Sequence, residues 1–337
     1  PKFHRMVYNN FRYNMNITQF NVDKYMYTHR LEVRLFKKFQ FAAMESILVN
    51  HSMELRFLNP LTIFHGMSPW RDYGDETGNL DKDDPESHTC AYMCFKIAYV
   101  PIKSLRIYLL FAQDQFQTPY ETSHWPDNTT PRGISGQLGL ESYIPYKAGY
   151  FHFWLEGTYT DPFMYIKEDP NWSLVRTYSE NIGDMAIFYE WVGSPFGPDT
   201  LAGELNAGYE VPGKWSVTAS YLLKGCGEYS GTKIFTDALD WGGQDKVADI
   251  NEWVYPESNP AETKEEGKEK QSWWAPHGTV ELVNRAAVRA SFSPNKYLTI
   301  TAQPAFVFIF NSGNVKDEFI SGGEFALSTK INLSRIF

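Results

Sequence analysis

The chain has 337 residues, with 31 basic and 40 acidic side chains and a formal net charge of −9. This acidic balance argues against nucleic acid as a partner, because phosphate binding requires clustered lysine and arginine. No stretch approaches the ~20 consecutive apolar residues of a membrane-spanning helix, which excludes a helical membrane protein. Aromatic residues make up 16% of the chain and are spread along it, more than a soluble enzyme needs.

Apolar and polar residues alternate with a period of two over much of the chain. The clearest runs begin at Phe11, Tyr25, Trp215 and Val280. This period predicts half-buried β-strands and not helices. The runs are roughly 10 to 15 residues long, which suits the ~9–11 residues that a tilted strand needs to cross a bilayer.

Short and long connections alternate between these runs. Short turns are predicted at 36–38, 101–103, 145–147, 211–214 and 293–296, and long connections at 51–88, 113–132, 167–200, 225–278 and 311–321. A short turn predicted at 21–24 is the one departure. The alternation collects the long connections at one end of an antiparallel sheet, which is the layout of an outer-membrane barrel.

The C-terminal segment fits the same layout. Its apolar face includes Phe325, Leu327 and Leu333, and the chain ends in Phe337. A terminal aromatic residue resembles the signature that the barrel-assembly machinery reads in bacterial outer-membrane proteins. Arg335 departs from the apolar pattern, near the interface, where a cation costs about 0–1 kcal/mol.

We therefore expect an all-β protein, an antiparallel transmembrane β-barrel of the bacterial outer membrane with about 14–18 strands when complete. One barrel domain takes up residues 1–337. Counting back from a periplasmic Phe337 gives about 12–15 strands and makes segment 2–9 run down from the surface. Because the first and last strands of a closed barrel pair, we expect opening strands N-terminal to Pro1. The alternative is a soluble β-protein that happens to end in phenylalanine.

The parity of the strands assigns side chains to two faces. The apolar parity is expected to contact outer-membrane lipid, with Leu31, Val33, Val217, Val288, Ile331 and Leu333. The opposite parity is expected to face the lumen, with Arg30, Glu32, Arg34, Ser216, Glu281, Arg285 and Arg289. Structural ion pairs explain these charges better than a translocation path, because polar lumens are normal in such barrels.

Cysteine usage and acidic runs predict no metal site or cofactor. Cys90 and Cys94 stand four residues apart on a predicted strand, roughly 13 Å, whereas a disulfide needs less than ~7 Å. With Cys226 they are too few for a disulfide framework or a zinc site. The acidic run at 81–86 lacks the spacing and the glycine of an EF-hand loop.

Several segments resemble the capsule assembly protein Wzi family. They are His-Arg-Leu-Glu-Val-Arg at 29–34, Glu-Leu-Arg-Phe-Leu-Asn-Pro at 54–60, Tyr-Val-Pro at 99–101 and Gly-Ser-Pro-Phe-Gly-Pro-Asp at 193–199, followed by two amphipathic strands and Leu-Lys-Gly at 223–225. The resemblance covers roughly residues 25–225. It implies an outer-membrane barrel of about eighteen strands that binds capsular or related polysaccharide and helps attach it to the cell. The family's N-terminal helical part and opening strands have no counterpart here.

A carbohydrate-binding surface needs aromatic platforms with charged or amide groups beside them. The predicted surface loops hold such candidates: Trp70, Arg71, Asp72, Trp125, Trp241, Trp253, Trp273 and Trp274. Packing of the loops, or an aromatic girdle at the membrane interface, would explain the same tryptophans.

No catalytic motif for hydrolysis, metal chemistry or phosphate binding is found, so we expect no enzyme. The expected function is binding of extracellular or capsular polysaccharide at the outer membrane. The alternative is a general porin or nutrient channel, which would need a continuous water path through the lumen.

Overall fold

The computed structural model of the chain describes residues 2–3, 24–49, 55–59, 63–64, 89–124, 132–165, 174–182, 184–228 and 273–331. In these ranges the backbone forms the strands β1 (Lys2–Phe3), β2 (Lys24–Leu35), β3 (Phe39–Val49), β4 (Thr89–Ile102), β5 (Leu105–Gln115), β6 (Gly133–Tyr146), β7 (Gly149–Thr160), β8 (Val175–Ile182), β9 (Asp184–Trp191), β10 (Thr200–Val211), β11 (Trp215–Cys226), β12 (Glu281–Asn295), β13 (Leu298–Phe310) and β14 (Phe319–Ile331). Helical structure in the same ranges consists of α1 (Pro119–His124) and two 3-10 turns, Leu55–Leu58 and Ser312–Asn314. No helix in the described ranges is long and apolar enough to span a membrane.

The strands form one antiparallel meander. The sheet order is β1-β2-β3-β4-β5-β6-β7-β10-β11-β12-β13-β14, and β8 and β9 pair with each other as a separate hairpin. Apart from the two-residue β1, the strands of this sheet are between 11 and 15 residues long. The predicted all-β, antiparallel architecture with long strands is confirmed.

The connections alternate as the sequence predicts. Short turns join β2 to β3, β4 to β5, β6 to β7, β10 to β11 and β12 to β13, and long connections lie between those hairpins. Each of these five turns joins two neighbouring antiparallel strands, and the long connections join successive hairpins at the opposite end. The five short turns therefore lie at one end of the sheet. We call this the turn end, and the opposite end the loop end.

The last connection is shorter than predicted. β14 begins at Phe319, which pairs with Phe310, so the ladder already exists before the predicted loop end at residue 321. Only residues 319–321 of this strand fall within the predicted loop, because they precede Gly322 and Gly323, where the apolar alternation is interrupted. The N-terminal half of β14 therefore continues the sheet to the loop end.

The turn between β2 and β3 shows how tightly the turn end is built. Lys38 N donates to Leu35 O at 3.1 Å, and Phe36 and Lys37 both have positive φ, 52° and 58°. Two successive positive φ values define a type I′ turn, whose twist matches that of the flanking strands. Non-glycine residues adopt this conformation at an energetic cost.

The two faces of the sheet differ in chemistry. Leu31, Val33, Val217, Val288 and Ile331 are exposed on one face, which we call the outer face. It carries further exposed apolar side chains on the neighbouring strands: Leu109, Leu138, Leu155, Leu205, Phe306 and Phe325.

The opposite face is concave. Arg30 on β2 and Glu204 on β10 line one cavity of about 470 Å³. Five strands separate β2 from β10, and a flat sheet with that order would hold them about 29 Å apart. The sheet must therefore curl around this face, which we call the concave face.

The connection between β7 and β10 folds over the concave face. Met164, Tyr165 and Leu174 are fully buried and pack against side chains of β3, β4 and β5: Leu48, Tyr92 and Ala112. The backbone of this segment is anchored, since Tyr165 N donates to Asp114 Oδ2 at 2.7 Å and Leu174 N to Tyr165 O at 2.8 Å. Burial raises the pKa of the Tyr165 phenol.

The connection after β3 folds the other way, over the outer face. Phe57 and Phe64 are buried against Tyr27 and Ile47. Glu45 Oε2 accepts a hydrogen bond from Phe64 N at 2.9 Å, which satisfies a carboxylate on the largely apolar outer face. The exposed apolar band of β2 and β3 therefore lies on the turn-end side of Glu45.

Several predictions concern residues outside the described ranges. They are the strand that begins at Phe11, most of segment 2–9, residues 21–23 of the turn predicted at 21–24, the acidic run at 81–86, Leu333, Arg335 and the terminal Phe337. Lys24, the last residue of that predicted turn, begins β2.

Candidate functional site

A buried carboxylate with several hydrogen-bond partners lies near the loop end. It belongs to Asp161, which follows the last residue of β7. Its side chain is 0% exposed. Its backbone continues the sheet, since Asp161 N donates to Ile134 O at 2.9 Å and Asp161 O accepts from Asp199 N at 3.0 Å. The buried carboxylate is thus fixed between β6, β7 and the segment that leads into β10.

Arg132, just before β6, neutralises this carboxylate. Its Nε donates to Asp161 Oδ2 at 2.7 Å and its Nη2 to Asp161 Oδ1 at 2.8 Å, a bidentate pair. Ile134 N at 3.0 Å and the Tyr159 hydroxyl complete the carboxylate's partners. The hydrogen bonds to Asp161 raise the pKa of Arg132. Bidentate charged bonds are roughly twice as strong as neutral ones, so the guanidinium plane is held in place.

This guanidinium supports an exposed tryptophan. The Arg132 Cζ lies 4.3 Å from the centroid of the Trp274 ring, and Trp274 is 63% exposed. Tyr159 contacts Trp274 with ring centroids 6.0 Å apart. Arg132 Nη2 also donates to Trp273 O at 3.3 Å, which anchors the chain beside Trp274. Of the predicted glycan-binding residues, Trp274 is therefore presented to solvent on a charged, fixed support.

The neighbouring Trp273 has a packing role. Its ring stacks on His277 at 4.1 Å and on Phe163 at 5.6 Å. The indole is therefore engaged by two protein rings. Trp273 thus joins the segment before β12 to the segment after β7.

Asp199 closes the same region from the β10 side. It is buried, and its Oδ1 accepts from His277 N at 2.7 Å while its backbone carbonyl accepts from Gly227 N at 2.8 Å. A Cβ on Gly227 would lie only 1.9 Å from Asp199 Oδ2, so the close approach requires glycine. The connections between β7 and β10 and between β11 and β12 are locked together here.

The predicted lumen-facing charges mostly form ion pairs. Glu32 pairs with Arg30 at 3.1 Å and with Arg34 at 3.2 Å. Arg285 pairs with Glu324 at 2.9 Å, across the intervening β13. Glu281 Oε2 instead accepts a hydrogen bond from Gly313 N at 2.7 Å, and Arg289 is exposed.

The concave face also carries the 470 Å³ cavity, beneath Tyr165 and residues 193–196. Arg30 and Lys96 line it from β2 and β4, and Glu156 and Glu204 line it from β7 and β10. The cavity is thus bounded by cationic side chains on one side and acidic ones on the other.

The remaining predicted glycan-binding residues, Trp70, Arg71, Asp72, Trp125, Trp241 and Trp253, lie outside the described ranges. Among the residues that are described, no group of three or more His, Cys, Asp or Glu side chains could hold a metal ion. Within the described residues Cys94 and Cys226 form no disulfide bond, and Cys90 lies on the same strand as Cys94.

Sequence reasoning missed Arg132, Tyr159 and Asp161. Arg132 immediately precedes β6 and Asp161 immediately follows β7, so the two lie at the same end of a predicted hairpin. Two opposite charges at the open end of a hairpin are the signal that could have joined them.

No protein-family model matches the chain, and no curated protein matches it in sequence.

Proposed function

We propose that the chain is a β-barrel of the bacterial outer membrane that binds capsular or related surface polysaccharide at its loop end and helps attach that polymer to the cell. It acts by binding and not by catalysis. The resemblance to the capsule assembly protein Wzi family supports the same role.

The outer face supports the membrane location. On β10 the apolar face runs from Leu201 to Val211, about 33 Å along the strand. A tilt of about 40° reduces this to about 25 Å, the height of the apolar band of outer-membrane barrels. In lipid, unpaired sheet edges are costly, and we infer that the curved sheet closes into a barrel of about 14–18 strands.

The single observation that carries the polysaccharide role is the platform formed by Trp274 on Arg132. Indole rings stack on the apolar faces of sugars, while charged groups beside them bond the hydroxyls. Because Asp161 fixes Arg132, the ring is preorganised and little entropy is lost on binding. Many weak contacts of this kind along a polymer add up through multivalency.

The test is replacement of Trp274 by alanine, with Trp215→Ala as the matched control. Trp215 is 41% exposed and begins β11, at the turn end. Truncation of an aromatic contact costs about 1–2 kcal/mol, which is about 5–30-fold in affinity. We expect Trp274→Ala to weaken polymer retention at the cell surface and Trp215→Ala to leave it unchanged in folded protein. Equal retention by both variants and the parent would remove the proposal.

A general porin is the second candidate, and the charged cavity on the concave face is what favours it. Against an open channel stands the segment of Met164 and Tyr165, which packs on the same face. Single-channel recording in planar bilayers separates the two functions. The polysaccharide-binding barrel predicts no large, stable conductance steps, and a porin predicts them.

A further inference from the structure

The cavity on the concave face places opposite charges on its two sides. Lys96 lies on β4 and Glu204 on β10, with three strands between them in the sheet order. On a flat sheet these two strands would be about 19 Å apart. Because the sheet curls, both side chains line the same volume of about 470 Å³.

These two charges do not neutralise each other or a neighbour. In the part of the chain that the structure describes, neither the Lys96 amine nor the Glu204 carboxylate forms an ion pair. Glu204 Oε1 accepts one hydrogen bond, from Asn206 Nδ2 at 3.1 Å. The other two charges are engaged, Arg30 by Glu32 at 3.1 Å and Glu156 by the Tyr108 hydroxyl. The cavity thus offers one available cation and one available carboxylate.

Two aromatic rings, those of Trp154 and Tyr92, also line the cavity. The indole is held in place, because Trp154 Nε1 donates to the Tyr108 hydroxyl at 2.8 Å. Such rings provide apolar contact area and also attract ammonium groups through cation–π interactions.

We propose that this cavity binds a small zwitterion of amino-acid to dipeptide size. Its carboxylate is bound by Lys96 with Arg30 beside it, and its ammonium group by Glu204 with Glu156 beside it. A volume of 470 Å³ falls within the about 300–1,000 Å³ of small-molecule sites, and an extended dipeptide spans about 7 Å. A hydrogen bond to a cation at one end and a hydrogen bond to a carboxylate at the other end fix the direction in which such a ligand binds. This site is separate from the Trp274 platform and does not depend on polysaccharide binding.

The test uses the purified full chain in detergent micelles and isothermal titration calorimetry with alanylalanine as the probe. The matched ligand is N-acetyl-alanylalanine amide, which has the same backbone and neither charge. We expect alanylalanine to bind at least about tenfold more tightly, because the blocked ligand lacks both charge-assisted contacts. This comparison on the parent protein decides the proposal without any substitution.

Substitutions then assign the two ends. Lys96→Met and Glu204→Gln should each weaken alanylalanine binding by about tenfold or more, while Lys96→Arg keeps the charge and the binding. Lys214→Met, in the turn before β11, is the control and should bind as the parent does. Trp274→Ala should also bind alanylalanine as the parent does, which separates this site from the proposed function. Absence of binding up to millimolar concentration, equal binding of the blocked ligand, or unchanged affinity in both Lys96→Met and Glu204→Gln would overturn the assignment.

Discussion

Replacing Asp161 with asparagine tests the buried ion pair that fixes Trp274. The amide keeps the shape of the carboxylate but removes its charge from Arg132, Tyr159 and Ile134 N. Removing one partner of a buried ion pair costs about 3–5 kcal/mol, because the other charge stays behind without compensation. Because the Arg132 side chain is 18% exposed, water can solvate part of its uncompensated charge. We therefore expect the free energy of unfolding to fall by about 3 kcal/mol.

The assay is equilibrium unfolding of the purified protein by urea in detergent, followed by tryptophan fluorescence. The matched control is Glu324→Gln, which breaks an ion pair of similar length, 2.9 Å, to Arg285. Those side chains are 54% and 30% exposed, and such surface pairs contribute about 0–1 kcal/mol. Asp161→Asn should therefore lose clearly more stability than Glu324→Gln. Equal losses in the two variants would refute the reasoning that burial gives the Asp161 pair its strength.

Three further predictions concern the sheet and its proposed place in a membrane. Leu205→Arg, on the outer face at mid-strand, should lower the free energy of unfolding in lipid vesicles by about 2–4 kcal/mol. Asn206→Arg, on the concave face, should lower it little. Similar losses at both positions would argue against a lipid-facing outer face. Lys37→Gly should stabilise the protein by about 0.5–1 kcal/mol in urea titrations, since glycine adopts the positive φ of the type I′ turn without strain. A loss of stability in this variant would contradict the turn assignment. The folded protein should require detergent and show heat-modifiable gel migration, and a monodisperse protein in plain buffer would contradict a membrane barrel.

The sheet could be predicted because apolar and polar residues alternate along its strands with a period of two. Val217 and Ser216 lie on opposite faces because successive side chains of a strand point to opposite sides of the sheet. The short turns are predicted where the alternation of apolar and polar residues stops. Where glycines break the alternation, as at Gly322 and Gly323, the strand boundary is lost from the pattern.

The place of Trp274 in the loop-end site could not be predicted, because a tertiary contact brings it there. Arg132 and Asp161 are 29 residues apart, and Trp274 reaches them from a distant segment. The sequence also does not indicate which face of the sheet a long connection covers. Tyr165 packs on the concave face and Phe57 on the outer face, although both are aromatic residues in long connections.

The proposed membrane-spanning barrel is tested most directly by thiol labelling in lipid vesicles. The background is a chain with its three cysteines, Cys90, Cys94 and Cys226, replaced by serine. Single cysteines are then introduced in pairs of neighbouring positions, one on the outer face and one on the concave face. Each variant is checked for folding by heat-modifiable migration before it is labelled.

The pairs are Val217→Cys with Ser216→Cys and Val288→Cys with Arg289→Cys. A membrane-impermeant maleimide should label positions 216 and 289, which face water on the concave side, and should leave positions 217 and 288 unlabelled under lipid. Equal labelling of all four positions in the folded, reconstituted protein would contradict a lipid-facing outer face.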